Sequence, residues 1–366
     1  MIETVEIQGF KRYKSQKFNF SPLTVLAGLN GSGKTSLIHS LLLMQKASIS
    51  PRHEVSLNEE EGLELGSADS VKNWDSDGLI EFSIESEGGD VFNWTFAVPE
   101  DDALYLSLQQ CPSNFPAAFS FPSRGFSYVR ADRLGPKNTL KVSALSAEAI
   151  EVGERGEFCA QVLETLGNKP LVFEDRLHPE REKNRSPFLK YELEKWLGEI
   201  TTPVEVGTIP YIGSANAAMQ FRTNGVDWVR APNMGFGVSY ALPIVLAGLI
   251  THPGGLLIVE NPEAHLHPAG QSRMGVFLAW LAGRGVQVLV ETHSDHVLNG
   301  MRRAIGEYGF LKNTDAIVNF FESDSSAPNV QELRFTAIGG VSNWPKGFFD
   351  QYQLDVSSLG RIRRRT

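Results

Sequence analysis

Cysteine, positive charge and long apolar runs are all scarce in this sequence. The 366 residues include two cysteines, Cys111 and Cys159, whose wide spacing suits neither a zinc site nor a disulfide framework. No apolar run approaches the ~20 residues that a membrane-spanning helix needs. The first residues, MIETVEIQGF, lack the basic and then apolar pattern of a signal peptide. We therefore expect a cytoplasmic protein that makes no membrane contact.

Positive charge is in deficit, with 34 Lys and Arg against 43 Asp and Glu, a net charge of −9. A protein that binds nucleic acid over a broad surface usually has the opposite sign. Two local basic stretches, REKNR (181–185) and RIRRR (361–365), could still form such a contact. Because a run of charge is more often a solvated surface, nucleic-acid contact stays open as an alternative.

The order of glycine loops and apolar segments predicts the domain organisation. From residue 231 onward the chain alternates glycine loop, helix, buried strand, helix and buried strand, which predicts an α/β fold with a mostly parallel sheet. We predict that 1–48 is the N-terminal half of this core and that 231–300 is its C-terminal half. Segment 49–230 is predicted to be an insertion of antiparallel hairpins and helices, and 301–366 a C-terminal extension.

A phosphate-binding loop is the most specific motif in the chain. GLNGSGKT, Gly28–Thr35, matches G-x-x-x-x-G-K-[ST] in the required position between an apolar strand and a helix. Its glycines allow backbone N–H groups to converge on a phosphate at a helix N-terminus. Lys34 is expected to reach the β- and γ-phosphates, and the Thr35 hydroxyl to bind Mg²⁺. The predicted nucleotide-binding residues of this loop are Asn30, Gly31, Ser32, Gly33, Lys34, Thr35 and Ser36.

Two later strands end in polar residues that suit the other half of a nucleotide site. LLIV leads into Glu260, whose carboxylate is predicted to hold the metal through water; the alternative is an ordinary surface acid. VQVLVE leads into Thr292 and His293. A histidine at the carboxyl end of a parallel strand lies at the ligand edge of the sheet and can contact a γ-phosphate or a water. The alternative for His293 is a surface side chain.

Two further loops carry weaker predictions. His265 and His267 in EAHLHP could bind a transition metal, but a polar loop at a subunit interface is the favoured interpretation. NMGFGVS, Asn233–Ser239, precedes an apolar helix, and N–H groups at a helix start form an anion site. The phosphate loop already holds the nucleotide, so this second site makes sense if it faces a nucleotide on another copy of the chain. The alternative is a helix-capping loop.

Taken in order, GLNGSGKT, GFGVS, ENPEAHLHP and ETHSD resemble the motifs of ABC-type ATPase heads. The resemblance is to the AAA-type ATPases grouped with the RecF, SMC and OLD-nuclease heads, which bacterial defence or repair loci often carry. ADRLGP, ENPEAHLHPAGQ and WPKGFFDQ resemble a narrower subgroup whose C-terminal domain has no assigned function. The resemblance implies an ABC-type head with a mostly parallel core sheet, an antiparallel subdomain and a helical insertion. It also implies ATP and Mg²⁺ as cofactors, and a homodimer or higher oligomer around sandwiched nucleotide.

The same resemblance assigns roles to individual residues. Gly235, Gly237 and Ser239 resemble the signature loop that caps the partner subunit's γ-phosphate, and His293 resembles the switch histidine. Lys11 and Arg12, with Tyr13, occupy the position that contacts adenine or ribose in related heads. Gln45 is a candidate for the glutamine that contacts the metal, and Arg133 in ADRLGP has no assigned role. No nuclease domain follows, so a separate effector protein, such as a nuclease, is the expected partner.

One position departs from the pattern of related heads. They commonly have an acid, a glutamate, a proline and a second glutamate, whereas this chain has Glu260, Asn261, Pro262 and Glu263. Asparagine orients a water but does not accept its proton, and loss of a general base typically costs ~10²–10⁴-fold in rate. We expect slow hydrolysis with Glu263 or His293 as the base. A nucleotide-dependent scaffold with negligible hydrolysis and a sensor of DNA structure remain the alternatives.

Overall fold

The computed structural model describes residues 1–49, 53–58, 62–76, 78–181, 186–210, 214–322, 329–350 and 354–359. The strands are β1 (Ile2–Phe10), β2 (Tyr13–Asn19), β3 (Leu23–Gly28), β4 (Glu54–Ser56), β5 (Leu79–Ser86), β6 (Val91–Ala97), β7 (Tyr105–Gln110), β8 (Phe126–Val129), β9 (Leu140–Lys141), β10 (Glu205–Pro210), β11 (Asn216–Arg222), β12 (Val229–Arg230), β13 (Leu256–Glu260), β14 (Gln287–Glu291), β15 (Ala316–Glu322) and β16 (Asn329–Arg334). The helices are α1 (Lys34–Ile49), α2 (Ala68–Val71), α3 (Ala117–Ser120), α4 (Cys159–Leu166), α5 (Leu189–Ile200), α6 (Phe236–Ile250), α7 (Pro268–Ala282) and α8 (Asp295–Gly306). Most of the two basic stretches, 182–185 and 361–365, lies outside the described residues.

A mostly parallel sheet forms the centre of the fold, in the order β16-β15-β3-β14-β13-β8. Every neighbouring pair in it is parallel except β15 and β16, which form an antiparallel pair at one edge. Every residue of β13 and β14 is buried. Such continuous apolar runs are expected when both faces of a parallel sheet are covered, and the predicted mostly parallel core is confirmed.

Two hydrophobic cores cover the two faces of this sheet. Because successive side chains of a strand point to opposite faces, Leu257 and Val259 of β13 pack into one core and Leu256 and Ile258 into the other. The first core contains the apolar sides of helices α4 to α8. The second contains α1 and the inner face of an antiparallel sheet. The phosphate-loop helix α1 therefore lies between the core sheet and that antiparallel sheet.

The antiparallel part of the molecule consists of two sheets. The larger one has the order β2-β1-β5-β6-β7-β4, and its β5–β6 hairpin turns between Ser86 and Asp90. The smaller one joins β10, β11 and β12, with β9 also pairing with β11. Helices α4 and α5 lie between β9 and β10 in the sequence. The predicted antiparallel subdomain and helical insertion are thus both present.

The predicted segment boundaries need correction. Strand β8 lies within the predicted insertion 49–230, and β15 and β16 lie within the predicted extension 301–366, yet all three belong to the core sheet. The sequence of a strand does not reveal its partner, because pairing is decided by residues far apart in the chain. No helix in the described part of the chain is long and apolar enough to cross a membrane.

Candidate nucleotide-binding and catalytic site

The phosphate loop connects the end of β3 to the first residue of α1, as its sequence predicts. Gly31 and Gly33 have positive φ angles of 73° and 112°, which glycine adopts without steric cost. A Cβ at Gly33 would lie 2.5 Å from the Tyr13 hydroxyl oxygen. That hydroxyl donates a hydrogen bond of 2.8 Å to the Gly33 carbonyl. The β1–β2 hairpin therefore supports the loop from outside, and a side chain at position 33 would displace it.

Lys34 and Thr35 meet a carboxylate that the sequence analysis did not assign to the site. Thr35 Oγ1 donates to Glu291 at 3.0 Å and 3.3 Å, and Lys34 Nζ lies 3.7 Å from the same carboxylate. Lys34 Nζ also donates to the carbonyls of Gly28 and Leu29 at 3.0 Å and 2.8 Å. Glu291 is the last residue of β14, the strand that pairs directly with β3. The carboxylate nearest to the phosphate loop thus comes from β14.

The environment of Glu291 favours its protonated form. Its pKa is raised to about 7, chiefly by burial, with Glu260 and Glu263 adding to the increase and with Lys34 and the Thr35 hydrogen bond opposing it. Burial also lowers the pKa of Lys34, and Glu291 opposes that change. Each group therefore depends on the other to carry its charge in this buried position.

The β1–β2 turn directs the side chains of Arg12 and Lys11 to different parts of the site. The Arg12 guanidinium donates to the Gly31 carbonyl, so it contacts the phosphate loop directly. Lys11 has a positive φ of 50°. Its Nζ lies 2.7 Å from Nδ1 of His39 on α1. Burial lowers the pKa of Lys11 to about 8. Arg12 is therefore the residue of the pair that is placed beside the predicted nucleotide, and Lys11 is bonded to α1 instead.

The turn after β13 holds the residues predicted for metal binding and hydrolysis. The Glu260 carboxylate accepts from the Tyr128 hydroxyl at 2.9 Å and from the Ala131 N–H at 3.1 Å. Asn261 has a positive φ of 44°, and its N–H donates to the Glu291 carbonyl at 2.9 Å. Glu263 accepts from Thr292 Oγ1 at 2.7 Å and from the His293 N–H at 2.8 Å. The ENPE turn and the ETH turn are therefore bonded to each other.

His293 is exposed at the ligand edge of the sheet. Burial of part of the ring lowers its pKa, as does Lys34, while Glu263 and a hydrogen bond with the Gly28 backbone raise it. Its side chain thus lies against the start of the phosphate loop. Ser294 caps α8 by accepting from the backbone N–H groups of His296 and Val297, which fixes the direction of the chain after His293.

The signature-like loop is only partly as predicted. Gly235 immediately precedes α6 and is exposed, and Gly237 lies in the first helical turn, where a Cβ would be 3.2 Å from the His265 carbonyl oxygen. The Ser239 hydroxyl is buried without a hydrogen-bond partner in the described chain, in a cavity that Leu134 and Leu242 also line. Ser239 therefore points into the protein, and the predicted contact of its hydroxyl with a partner's phosphate is corrected: Gly235 is the exposed part of the loop, and Gly237 is partly buried.

Gln45 is far from the predicted metal site. It lies ten residues after Thr35 on α1, which corresponds to about 15 Å along the helix axis. Two ligands of one Mg²⁺ ion, each at about 2.1 Å, are at most about 4 Å apart. Gln45 instead lines a cavity with Phe126 and Tyr128. Its assignment as a metal ligand is wrong, because the helix carries it away from the loop.

No cluster of three or more His, Cys, Asp or Glu side chains with metal-binding geometry occurs among the described residues. The two histidines of EAHLHP are accounted for otherwise. His265 packs its ring 4.3 Å from the ring centroid of Tyr240, and His267 Nδ1 accepts from the N–H of Ala269 at the start of α7. Both side chains therefore make other contacts in this structure.

Comparisons with known proteins agree with this arrangement. A family model described as "AAA ATPase domain" matches residues 1–141. A second, described as "AAA domain, putative AbiEii toxin, Type IV TA system", matches 155–299. A third, "Protein of unknown function (DUF3696)", matches 311–359, in accord with the predicted subgroup. No curated protein sequence matches the chain.

Solved SMC heads share the fold. An SMC head bound to the C-winged helix domain of ScpA aligns with a TM-score of 0.53 at 13% identity, covering 91% of this chain and 97% of that one. An Smc head domain with an extended coiled coil, bound to the C-terminal domain of ScpA from Pyrococcus furiosus, aligns with a TM-score of 0.53 at 15% identity, covering 99% of both chains. At such low sequence identities, the structural alignments show a shared fold and nothing more. The predicted ABC-type head is confirmed at the level of the fold.

Proposed function

Since the chain is an AAA-type ATPase head with the ABC-type fold of SMC heads, we propose that it binds Mg²⁺ and ATP at the loop Asn30–Ser36 and hydrolyses the nucleotide slowly. The observation that carries the proposal is the cluster of Lys34, Thr35 and Glu291 beside the glycine loop. In addition, the buried hydroxyl of Ser32 has no hydrogen-bond partner among the described residues. A bound phosphate oxygen would satisfy it, as buried hydroxyls require.

The oxygen ligands at this point fit Mg²⁺. Hydroxyl and carboxylate oxygens are the hard ligands this ion prefers, and it usually takes only one or two protein ligands beside phosphates and waters. Thr35 and Glu291 would supply them, because their side chains already touch. Glu260 stays a predicted ligand through water, since Tyr128 and Ala131 occupy its carboxylate in this structure. The bound ion would polarise the phosphates.

The rate of hydrolysis follows from the turn after β13. Asn261 supplies no base, and the Glu263 carboxylate is engaged by Thr292 and by the His293 N–H. Positioning and charge neutralisation by Lys34 act without a strong base, so a residual rate is expected. Slow turnover would keep the nucleotide-bound form populated, which suits a gate or a timed switch. The scaffold alternative differs only in having no measurable turnover.

The competent unit is proposed to be a homodimer with nucleotide between the subunits. The N-terminus of α6 carries exposed Gly235 and Phe236, and its N-cap residue, Gly235, has no side chain to cap it. Its free N–H groups and helix dipole favour an anion. The phosphate loop of the same subunit already has its own helix, α1. A γ-phosphate held on the partner subunit's loop is therefore the anion that we propose for α6.

A separate effector protein completes the proposal. Strands β15 and β16 join the core sheet, so the described C-terminal part extends the head instead of adding a catalytic domain. We propose that nucleotide-dependent closure gates a partner such as a nuclease, in bacterial defence against phage or in DNA repair, as the family resemblance implies. Measuring the activity of the neighbouring gene's product, with and without this protein and ATP, tests that role.

The ATPase proposal is tested by removing the cation of the phosphate loop. Lys34→Ala is expected to abolish ATP binding by calorimetry and phosphate release at saturating ATP, because no other side chain of the loop carries positive charge to the γ-phosphate. Lys14→Ala, at an exposed position of β2, is the control and should bind as the parent does. Unchanged affinity in Lys34→Ala would overturn the assignment of the loop.

A further inference from the structure

Arg133 is a buried cation that contacts the turn after β13. It is 3% exposed and comes from the loop after β8. Its Nη1 donates to the carbonyls of Arg130 and Glu260, both at 2.7 Å, and its Nη2 donates to the Asn261 carbonyl at 2.7 Å. Its Nε has no partner in the described chain. The guanidinium thus binds both carbonyls that flank the strained residue Asn261.

The geometry of arginine, unlike that of lysine, allows one side chain to bind several neighbouring carbonyls. Its two terminal nitrogens lie in a fixed plane and reach neighbouring carbonyls together, whereas a lysine ammonium is a single point on a flexible stem. Burial lowers the pKa of Arg133 to about 10, and the group stays charged near neutral pH. Burying a charge is costly unless partners compensate it; here three carbonyls accept from the guanidinium, and Glu260 and Glu263 favour its charged form.

The other side of the guanidinium faces helix α6. Its carbon atom lies 5.4 Å from the ring centroid of Tyr240, within the range of a cation–π interaction. The Tyr240 ring packs 4.3 Å from His265, which in turn stacks 5.1 Å from Phe236. Phe236 is 53% exposed at the N-terminus of α6. A continuous set of contacts therefore runs from the exposed start of α6 to the backbone of Asn261.

The loop that carries Arg133 is also fitted to α6. Two residues further along, a Cβ at Gly135 would lie 3.2 Å from the Phe236 ring and 3.4 Å from the Tyr240 ring. A side chain at position 135 would therefore crowd these rings, so the backbone of this loop lies close to the first turn of α6. A displacement of that turn is consequently transmitted to the loop as well as to Tyr240.

We propose that Arg133 is a positioning residue, which couples the first turn of α6 to the turn Asn261–Glu263. The inference rests on the proposed function, because α6 is where the second subunit's nucleotide would bind. Closure of that subunit on α6 moves Tyr240 and the Arg133 loop, and the two hydrogen bonds to Glu260 and Asn261 turn the peptide that carries the Asn261 side chain. Hydrolysis then proceeds at full rate only in the closed dimer.

Two variants and their combination test this coupling. Arg133→Lys keeps the positive charge but loses the pair of terminal nitrogens that bind the two carbonyls. Tyr240→Leu removes the aromatic ring that contacts the guanidinium from α6. Each is expected to leave the ATP Kd and the KM as in the parent and to lower kcat by about 10–100-fold, the loss that a misplaced catalytic group produces. The double variant should lose no more than the worse single variant. Arg284→Lys, whose guanidinium lies over Trp280 at 5.8 Å, is the matched control.

Two outcomes would overturn the coupling. One is a kcat in Arg133→Lys within about twofold of the parent, since misplaced groups cost more. The other is a double variant whose loss is the product of the two single losses, which would mean that the side chains act separately. Tyr240 is only partly buried, so Tyr240→Leu keeps the test available if Arg133→Lys does not fold.

A structural measurement separates this inference from the ATPase proposal. If the parent itself releases no phosphate, the proposed function fails, but the coupling is still tested by amide hydrogen exchange of the nucleotide-free protein. Arg133→Lys should raise exchange both in 261–266 and at residues 239–242 of α6, the first positions whose N–H groups bond within the helix. Exchange that stays at the parent's level in either segment contradicts the coupling, whatever the parent's activity.

Discussion

Asn261 has a conformation that helps to explain its identity. Its φ of 44° lies in the left-handed region, which most residues with a side chain avoid and asparagine adopts several-fold more often. Its N–H bonds to Glu291 and its carbonyl to Arg133. Asparagine therefore suits the backbone here as well as the orientation of a water, and a glutamate would have to overcome the strain.

Substitution at this position tests the slow-hydrolysis proposal. Asn261→Glu and Asn261→Asp each add a carboxylate, and Asp tolerates the left-handed conformation better. We expect at least one of them to raise phosphate release, by about tenfold or more, because general-base catalysis contributes ~10²–10⁴-fold. Melting temperatures reveal any strain. Glu263→Gln should lower turnover if Glu263 is the remaining base. If all three variants turn over like the parent, none of these side chains faces the attacking water.

Glu291 predicts a pH dependence of stability in the nucleotide-free protein. Its pKa in the folded state is raised to about 7, so the folded protein holds this proton more tightly than the unfolded chain does. The stability due to this group is present below its unfolded pKa of about 4.5 and is lost as pH rises through about 7. Glu291→Gln should remove that decline in melting temperature relative to the parent. Glu3→Gln, at an exposed position, should follow the parent. Parallel curves for parent and Glu291→Gln would contradict the raised pKa.

At the level of elements, strand order decides which side chains meet. The sequence predicts that β13 and β14 both end in acids, but it does not show that β14 lies between β13 and β3. That order brings Glu291 to Thr35 and leaves Glu260 beside Tyr128. The acid at the end of VQVLVE was visible in the sequence. Its role was missed because parallel pairing depends on residues far apart in the chain.

The positions of Gln45 on α1 and of Ser239 on α6 explain why the structure differs from the prediction for these two residues. Lys34 and Thr35 were predictable because the motif fixes the loop and the start of α1 together. Gln45 and Ser239 were not, because each depends on where a helical position points. Gln45 is carried along α1 to the β8 side, and the Ser239 hydroxyl faces the interior cavity. A pattern match gives the order of residues in a helix but not the face that each one occupies.

The N-terminus of α6 offers a specific test of the dimer. Gly235 has φ −58° and ψ 149°, which any residue adopts, and a Cβ there meets nothing within 4 Å. Gly235→Arg should therefore fold normally and bind ATP with the parent's affinity, yet fail to associate in sedimentation with ATP, because the side chain fills the proposed interface. Val91→Arg, on the exposed start of β6, is the control. If Gly235→Arg associates normally with ATP, the loop 233–239 does not lie in the dimer interface, and its role is only to cap α6.

At the scale of the whole molecule, the phosphate loop and α6 are both attached to the core sheet. Strand β3, which carries the loop, and β13, which follows α6, lie in the same sheet with only β14 between them. The fold class was predictable because glycine loops alternate with buried apolar runs. The membership of β8, β15 and β16 in that sheet was not, since the chain returns to the core after long excursions.

The central claim is that each hydrolysis site combines the phosphate loop of one subunit with α6 of another. Mixing Lys34→Ala with Gly235→Arg tests it most directly, because a mixed dimer has one site with an intact loop and an intact α6. We predict that neither variant alone releases phosphate, and that an equal mixture recovers phosphate release up to about half of the parent's rate, because only the mixed dimer keeps an intact site and it keeps one of its two. A mixture as inactive as its components, beside an active parent, would contradict the shared site.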